Sequence, residues 1–235
     1  MKTITIFNHK GGVSKTTTTF HLGWKLGQLG KKVLLVDADP QCNLTGLMLG
    51  EKFDDYYNGP QSKNNIMDGV KPTFDGRPIP IKVVECVQSP DNKNVYLLPG
   101  HMDLSQFEPT LGLALNSNNA VVTLQNLPGS FYSLIELCAQ QYDIDYVLID
   151  MNPGLSSINQ SLFMSSDGFI VPMNPDPFSL MALKTLTKVL PRWKKWAENS
   201  RGLFDEATYR LPNCEMQFLG AIMQRFNLTR FVKLS

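Results

Sequence analysis

The chain has 235 residues, 43% hydrophobic and 18% charged, with a net charge of +1 at neutral pH. That length buries a sizeable core as one α/β domain, and the near-neutral balance excludes a global field that gathers nucleic acid, so any such contact comes from a local patch. Cys42, Cys86, Cys138 and Cys214 lack metal-ligand spacing and read as reduced thiols; no apolar run spans a membrane, and a cytoplasmic protein is expected.

Ile4 to Phe7 predicts a strand, and Thr18 to Gly30 predicts a helix packing through Phe20, Leu22, Trp24, Leu26 and Leu29. Between them lies Asn-His-Lys-Gly-Gly-Val-Ser-Lys-Thr-Thr, residues 8–17. Strand, glycine-rich turn and helix in that order aim backbone N–H groups and a helix dipole at an anion. Lys15 is placed for β- and γ-phosphates and the Thr16 hydroxyl for Mg²⁺. The ordinary phosphate loop has glycine where His9 and Ser14 stand here. If position 14 needs a positive φ, serine costs on the order of 1 kcal/mol.

Lys32 to Asp37 is nearly continuously apolar, as in a parallel strand buried on both faces, and it ends in Asp37-Ala38-Asp39-Pro40-Gln41. Carboxylates there lie at the ligand edge of an open α/β sheet. Asn43 to Leu49 predicts a short helix. Residues 50–93 are irregular: 54–60 reads as a loop, Pro72, Pro78, Pro80 and Pro90 break long elements, and Ile81 to Val87 reads as a strand. Asn94 to Leu98 is a further strand, and a helical stretch begins at Met102. Residues 111–141 predict helix in pieces, interrupted near Pro128-Gly129, with Phe131, Leu134, Ile135 and Leu137-Cys138 on a core-facing side. Asp145 to Asp150 predicts a buried strand with a terminal carboxylate, 155–165 a helix, and Gly168 to Pro172 a strand. Asn174 and Asp176 then fall near the ligand edge or serve the loop alone. Leu180 to Trp196 predicts one helix, with Pro191 as the place for a kink, and Gln217 to Met223 the last strand. Lys184, Lys188, Arg192, Lys194, Lys195 and Arg201 are opposed only by Glu198, with Trp193 and Trp196 interleaved. This is either a solvated helix face or a nucleic-acid patch.

Three of these stretches carry a resemblance. Lys10 to Thr16 resembles the deviant Walker A motif K-G-G-x-x-K-T of the ParA/MinD ATPases. Val36 to Gln41 resembles the family's D-x-D-P-Q motif, and the strand ending in Asp150 resembles its Walker B strand. Asn152 stands where the family has the first proline of D-x-P-P. The resemblance covers residues 2–48 and 94–227. It implies a three-layer α/β/α P-loop fold: a mostly parallel twisted sheet with helices on both faces. The chain is expected to be a single ATPase domain, with 50–93 as an excursion and a C-terminus either shortened or reduced.

By the same resemblance, Lys10, Lys15 and Asp39 are catalytic. Asp39 orients the attacking water, and Lys10 reaches a partner's phosphates. Lys10, Gly11, Gly12, Val13, Ser14, Lys15, Thr16 and Thr17 hold ATP, with Gln224 and Arg225 near adenine. Thr16, Asp37 and Asp150 serve Mg²⁺. The implied activity is slow, partner-stimulated ATP hydrolysis by a homodimer that binds DNA non-specifically and works with a ParB-like or other cargo adaptor in plasmid or chromosome partition. The six basic residues from Lys184 to Arg201 are the implied DNA contacts, with nucleoid association in the ATP state and no membrane. The alternative is a MinD-like positioning ATPase on a membrane surface, or a related regulatory ATPase that does not bind DNA.

Overall fold

In the computed structural model, residues 1–116, 124–200 and 206–224 are described. The strands are β1 (Lys2–Ile6), β2 (Val33–Ala38), β3 (Val87–Gln88), β4 (Val95–Leu98), β5 (Tyr146–Met151), β6 (Gly168–Met173) and β7 (Gln217–Met223). The helices are α1 (Lys15–Gln28), α2 (Asn43–Leu49), α3 (Phe53–Asn58), α4 (Ile66–Phe74), α5 (Glu108–Asn116), α6 (Leu127–Tyr142), α7 (Ser157–Met164) and α8 (Pro177–Ser200). The strands form one sheet in the order β3-β4-β2-β5-β1-β6-β7. All pairings are parallel except β3 with β4.

Helices cover both faces, as the apolar strands require. Along β2, Val33 and Leu35 face a layer that includes Phe20, Leu22 and Leu26 of α1 and Leu44 of α2. Leu34 and Val36 face the larger core, built with α4 to α8. The register aligns Ile6 of β1 with Asp150 of β5, and Asp37 of β2 with the same Asp150. The phosphate-loop turn and two carboxylate-bearing strand ends therefore meet at one height on the sheet.

Helix α1 starts three residues earlier than its sequence predicts, and a line of small residues seats it. Thr19, Gly23 and Gly27 are buried, whereas Phe20, Leu22, Trp24 and Leu26 are half-buried and Leu29 is exposed. A Cβ on Gly23 would lie 2.4 Å from Leu35 Cδ2, and one on Gly27 would lie 2.7 Å from Val95 Cγ2. The absent side chains let the helix axis approach the sheet, which fixes where the loop before it sits.

The 50–93 region is more ordered than its composition suggests. Residues 53–58 form α3 where a loop was expected, anchored by Tyr56 Oη donating to the Asn64 carbonyl (2.7 Å) and Tyr57 Oη to the Gly100 carbonyl (2.6 Å). Pro72 lies inside α4, near its end, where only one turn loses its bond. The strand expected over 81–87 is absent save for Val87 at its end. Tyrosine hydroxyls accept there in place of a ladder, Tyr209 from Ile81 N–H and Tyr142 from Cys86 N–H. Pro128 opens α6 instead of interrupting a helix, since its fixed φ and missing N–H suit a first turn. The helical stretch expected from Met102 is a 3₁₀ turn, Leu104–Phe107, leading into α5. Helix α8 runs longer at both ends than predicted and continues through Pro191.

Candidate functional site at the carboxyl edge of the sheet

Helix α1 opens directly from the turn after β1. Ser14 is its N-cap at φ 60°, the left-handed conformation that the glycine of the ordinary loop would adopt freely, and Gly12 has φ 70° with open space around it. The N–H groups of Gly11 to Ser14 find no internal acceptor among the described residues, and those of the first helical turn have none by geometry. Together they form a concave set of donors at the positive end of a 14-residue helix.

A cleft of about 730 Å³ opens over this turn. Gly11 to Thr17, Asp39, Gln41, Asn43 and Pro153 are among its lining residues. Its size is that of a site for a nucleotide-sized ligand. Lys15 is 7% exposed, with its ammonium 3.2 Å from the Lys10 carbonyl. Burial lowers its pKa, opposed by the charges of Asp150 and Asp39.

The carboxylates fall into distinct roles. Asp39 lines the cleft, and its Oδ1 accepts from Gln41 N–H at 2.9 Å. Asp37 is fully buried and already engaged. Its Oδ2 accepts from Thr45 N–H (2.8 Å) and Thr45 Oγ1 (2.6 Å), and its Oδ1 from Asp39 N–H (3.2 Å). It thus ties the first turn of α2 to β2 and supports the cleft from behind. Burial pushes its pKa up to about 6.

Asp150 differs in that it is fully buried and neither carboxylate oxygen has a hydrogen-bond partner among the described residues. Burial first, then the Asp37 charge, push its pKa up to about 8, against opposing effects of the Thr16 hydroxyl and Lys15. A buried carboxylate without a partner is costly. A hard cation beside the Thr16 hydroxyl would compensate it. Mg²⁺ fits this donor set, because it binds through one or two protein oxygens and fills its other positions with water and phosphate.

Other expected residues lie elsewhere. Lys10 does not line the cleft; its ammonium sits between Asp176 Oδ1 (2.8 Å) and Oδ2 (2.6 Å), 3.3 Å from Ser179 Oγ. Gln224 turns to α1, its Nε2 donating to Thr18 Oγ1 at 2.9 Å, so it is beside the loop helix and not in the cleft. Arg225 and Arg201 are outside the described residues. Two further residues contribute: Asn174, which the sequence placed near the ligand edge or in the loop alone, and Asn159, which it did not single out. Asn174 Nδ2 donates to the Gly12 carbonyl (3.2 Å). Asn159, buried, donates from Nδ2 to Asn152 Oδ1 (2.8 Å) and to the carbonyls of Asn152 and Gly154 (3.0 Å each), so the residue replacing the family proline is held by side-chain bonds. Only the strand-to-helix context around 152–159 hinted at this.

The basic residues of α8 form an ordered pattern. Lys184, Lys188, Arg192 and Lys195 recur at spacings of four, four and three along one exposed face. They span about 17 Å of helix axis. They make no ion pair with an acidic side chain among the described residues. Lys194 lies to one side and donates to the Glu215 carbonyl (3.2 Å). The tryptophans belong to the packing. The Trp193 ring lies 5.9 Å from Phe7 and 5.6 Å from Phe163, and Trp196 Nε1 donates to the Leu115 carbonyl. Among the described residues no helix is long and apolar enough to cross a membrane.

A family described as an AAA domain matches residues 1–201. The sporulation initiation inhibitor protein Soj of Bacillus subtilis is 29% identical over 189 residues, 79% of this chain and 63% of its own length. The chain spans about half to two-thirds of the length of the relatives it matches. A solved structure from Corynebacterium diphtheriae superposes with a TM-score of 0.79 at 25% identity, covering 95% of this chain and 80% of that one. A McdA variant from Cyanothece solved as its ATP complex gives 0.61 at 25% identity, covering 95% and 70%. With the match running from β1 through α8, and the strand, glycine turn and helix in place beneath it, the chain belongs to this family of P-loop ATPases, in its ParA/Soj-like branch.

Proposed function

We propose that this protein binds ATP and Mg²⁺ at the carboxyl edge of its sheet, pairs with a second copy in that state, and then binds DNA without sequence preference. Hydrolysis is slow until a cargo-bound, ParB-like adaptor stimulates it, and the cycle positions a plasmid, a chromosome or another cargo. The observation that carries the reading is the convergence of Lys15, Thr16, Asp39 and the unpartnered Asp150 around the open N–H groups of the Gly11-Gly12 turn. The ATP complex of the McdA relative supports the same ligand.

In this reading the loop N–H groups and Lys15 hold the phosphates, and the Thr16 hydroxyl and Asp150 hold the metal ion. Mg²⁺ would supply charge neutralisation on the phosphates. Asp39, fixed by Gln41 N–H, accepts a hydrogen bond from the attacking water and orients it. No strong general base is required, since positioning and electrostatic stabilisation carry phosphoryl transfer. Asp37 keeps α2 and Asp39 in place. The whole chain acts as one ATPase domain.

The exposed row of Lys184, Lys188, Arg192 and Lys195 supports phosphate contact with DNA. Four such contacts per protomer predict a slope of log affinity against log salt of about −3 to −4 for each protomer engaged. The test is binding to a random-sequence duplex with ATP·Mg²⁺, with ADP and without nucleotide, at several salt concentrations. Salt-sensitive binding seen only with ATP supports the reading. Replacing Lys184 and Lys188 by glutamine should lower the slope by about 2. Equal binding in all nucleotide states, or a slope unmoved by the substitutions, would overturn it.

A further inference from the structure

Lys10 opens the phosphate loop, yet its ammonium points out of the cleft that the loop lines. It lies within hydrogen-bond distance of both Asp176 oxygens, at 2.8 and 2.6 Å, and 3.3 Å from Ser179 Oγ. The Phe178 ring closes over it, with 5.7 Å from ammonium to centroid. Asp176 is itself tightly placed. It precedes Pro177, the first residue of α8, and its Oδ1 accepts from Ser179 N–H at 2.7 Å, so it caps this 24-residue helix. The Lys10 ion pair holds its carboxyl below the usual range. On the loop side, Lys10 N–H donates to Asn8 Oδ1 (3.0 Å), and Asn8 Nδ2 donates to the Pro172 carbonyl (2.9 Å) at the end of β6. The start of the phosphate loop and the start of α8 are thus joined across the β1–β6 seam.

We infer that Asp176 is a positioning residue for Lys10: it parks the ammonium within its own protomer, and the ion pair must open before Lys10 reaches phosphate on a second copy. This rests on the proposed ATP-dependent pairing. An ammonium cannot satisfy Asp176 and Ser179 on its own chain and a phosphate across an interface in the same geometry. Each protomer therefore gives up one parked pair on association, and Asp176 sets the threshold for pairing. The parked pair sits at the start of the helix that carries the basic row.

The chosen substitution is Asp176→Asn, which keeps a capping oxygen for Ser179 N–H and removes the charge that holds Lys10. Sedimentation equilibrium with ATP·Mg²⁺ reads the monomer–dimer constant for the parent chain, Asp176→Asn, Lys10→Ala and the double variant. Nucleotide affinity of the monomer and the thermal midpoint report intact folding. A half-exposed ion pair lost from each monomer predicts pairing that is roughly three- to tenfold tighter in Asp176→Asn. Asp176→Glu, which keeps the charge, should return the constant toward that of the parent. In the Lys10→Ala background Asp176→Asn should change nothing, because the effect runs through Lys10; a merely structural role would persist there. Unchanged or weaker pairing in Asp176→Asn, with the parent pairing on ATP, would overturn the parking role and leave the proposed function standing. Absence of ATP-dependent pairing in the parent would overturn both.

Discussion

Asp150→Asn should stabilise the ligand-free protein while removing its response to Mg²⁺. The pKa of Asp150 stands at about 8 against an ordinary 3.8. The folded state therefore holds the Asp150 proton more tightly than the unfolded chain does. The associated stability is complete below about pH 4 and is lost as pH rises through 8. A shift from 3.8 to about 8, at about 1.4 kcal/mol per unit, sets a ceiling near 6 kcal/mol. The cleft admits water and the side chain relaxes, so a loss of about 2–3 kcal/mol between pH 5 and pH 8 is expected. Asparagine carries no charge and removes that loss. For a chain of this length the variant should melt about 5–10 °C above the parent at pH 8 and close to it at pH 5. Melting curves at the two pH values, without ligand and with ATP and excess Mg²⁺, measure both halves. The parent should gain from Mg²⁺ and the variant should not. A variant that melts at or below the parent at pH 8, or that keeps the Mg²⁺ gain, would refute the assignment of Asp150 as the uncompensated carboxylate of the metal site.

Gly129→Ala should cost about 2–3 kcal/mol by chemical denaturation, because the added Cβ would lie 2.1 Å from the backbone oxygen of Tyr209, which cannot rotate away as a side chain would. A cost under 0.5 kcal/mol would mean that the 206–210 segment is not packed on α6 as described. Glu108 Oε2 accepts from Ser157 N–H (2.7 Å) and Ile158 N–H (3.3 Å) and so places a negative charge on the first turn of α7. Glu108→Ala should lower stability by about 1–2 kcal/mol and raise hydrogen exchange at Ser157 and Ile158; unchanged exchange would count against this cap.

Much of the site was legible from short range. The turn, Lys15 and Thr16 are contiguous, and the apolar runs ending in Asp37 and Asp150 declare buried strands whose last residues fall at the ligand edge. Parallel register brings the three together, and a βαβ crossover leaves little choice about that edge. Residues 53–58 and 81–86 depart from their sequence reading because partners 8 to 128 residues away decide them: Tyr56 and Tyr57 hydroxyls donate to the Asn64 and Gly100 carbonyls, and Ile81 and Cys86 N–H donate to the Tyr209 and Tyr142 hydroxyls, which no local pattern records. The seating of α1 was misread for a related reason. Its large side chains suggested the packing face, but proximity to Leu35 and Val95 selects Gly23 and Gly27.

By itself the sequence determined the kind of site: local chemistry at fixed spacing, a phosphate loop and carboxylates at strand ends, needs only a strand and a helix to present it. Tertiary structure decided how those groups are committed. It closed Asp37 onto Thr45, left Asp150 without a partner, and turned Lys10 to Asp176, 166 residues away. Such choices depend on which buried charges find partners once β1, β2, β5 and β6 lie side by side, a competition that exists only in the folded chain.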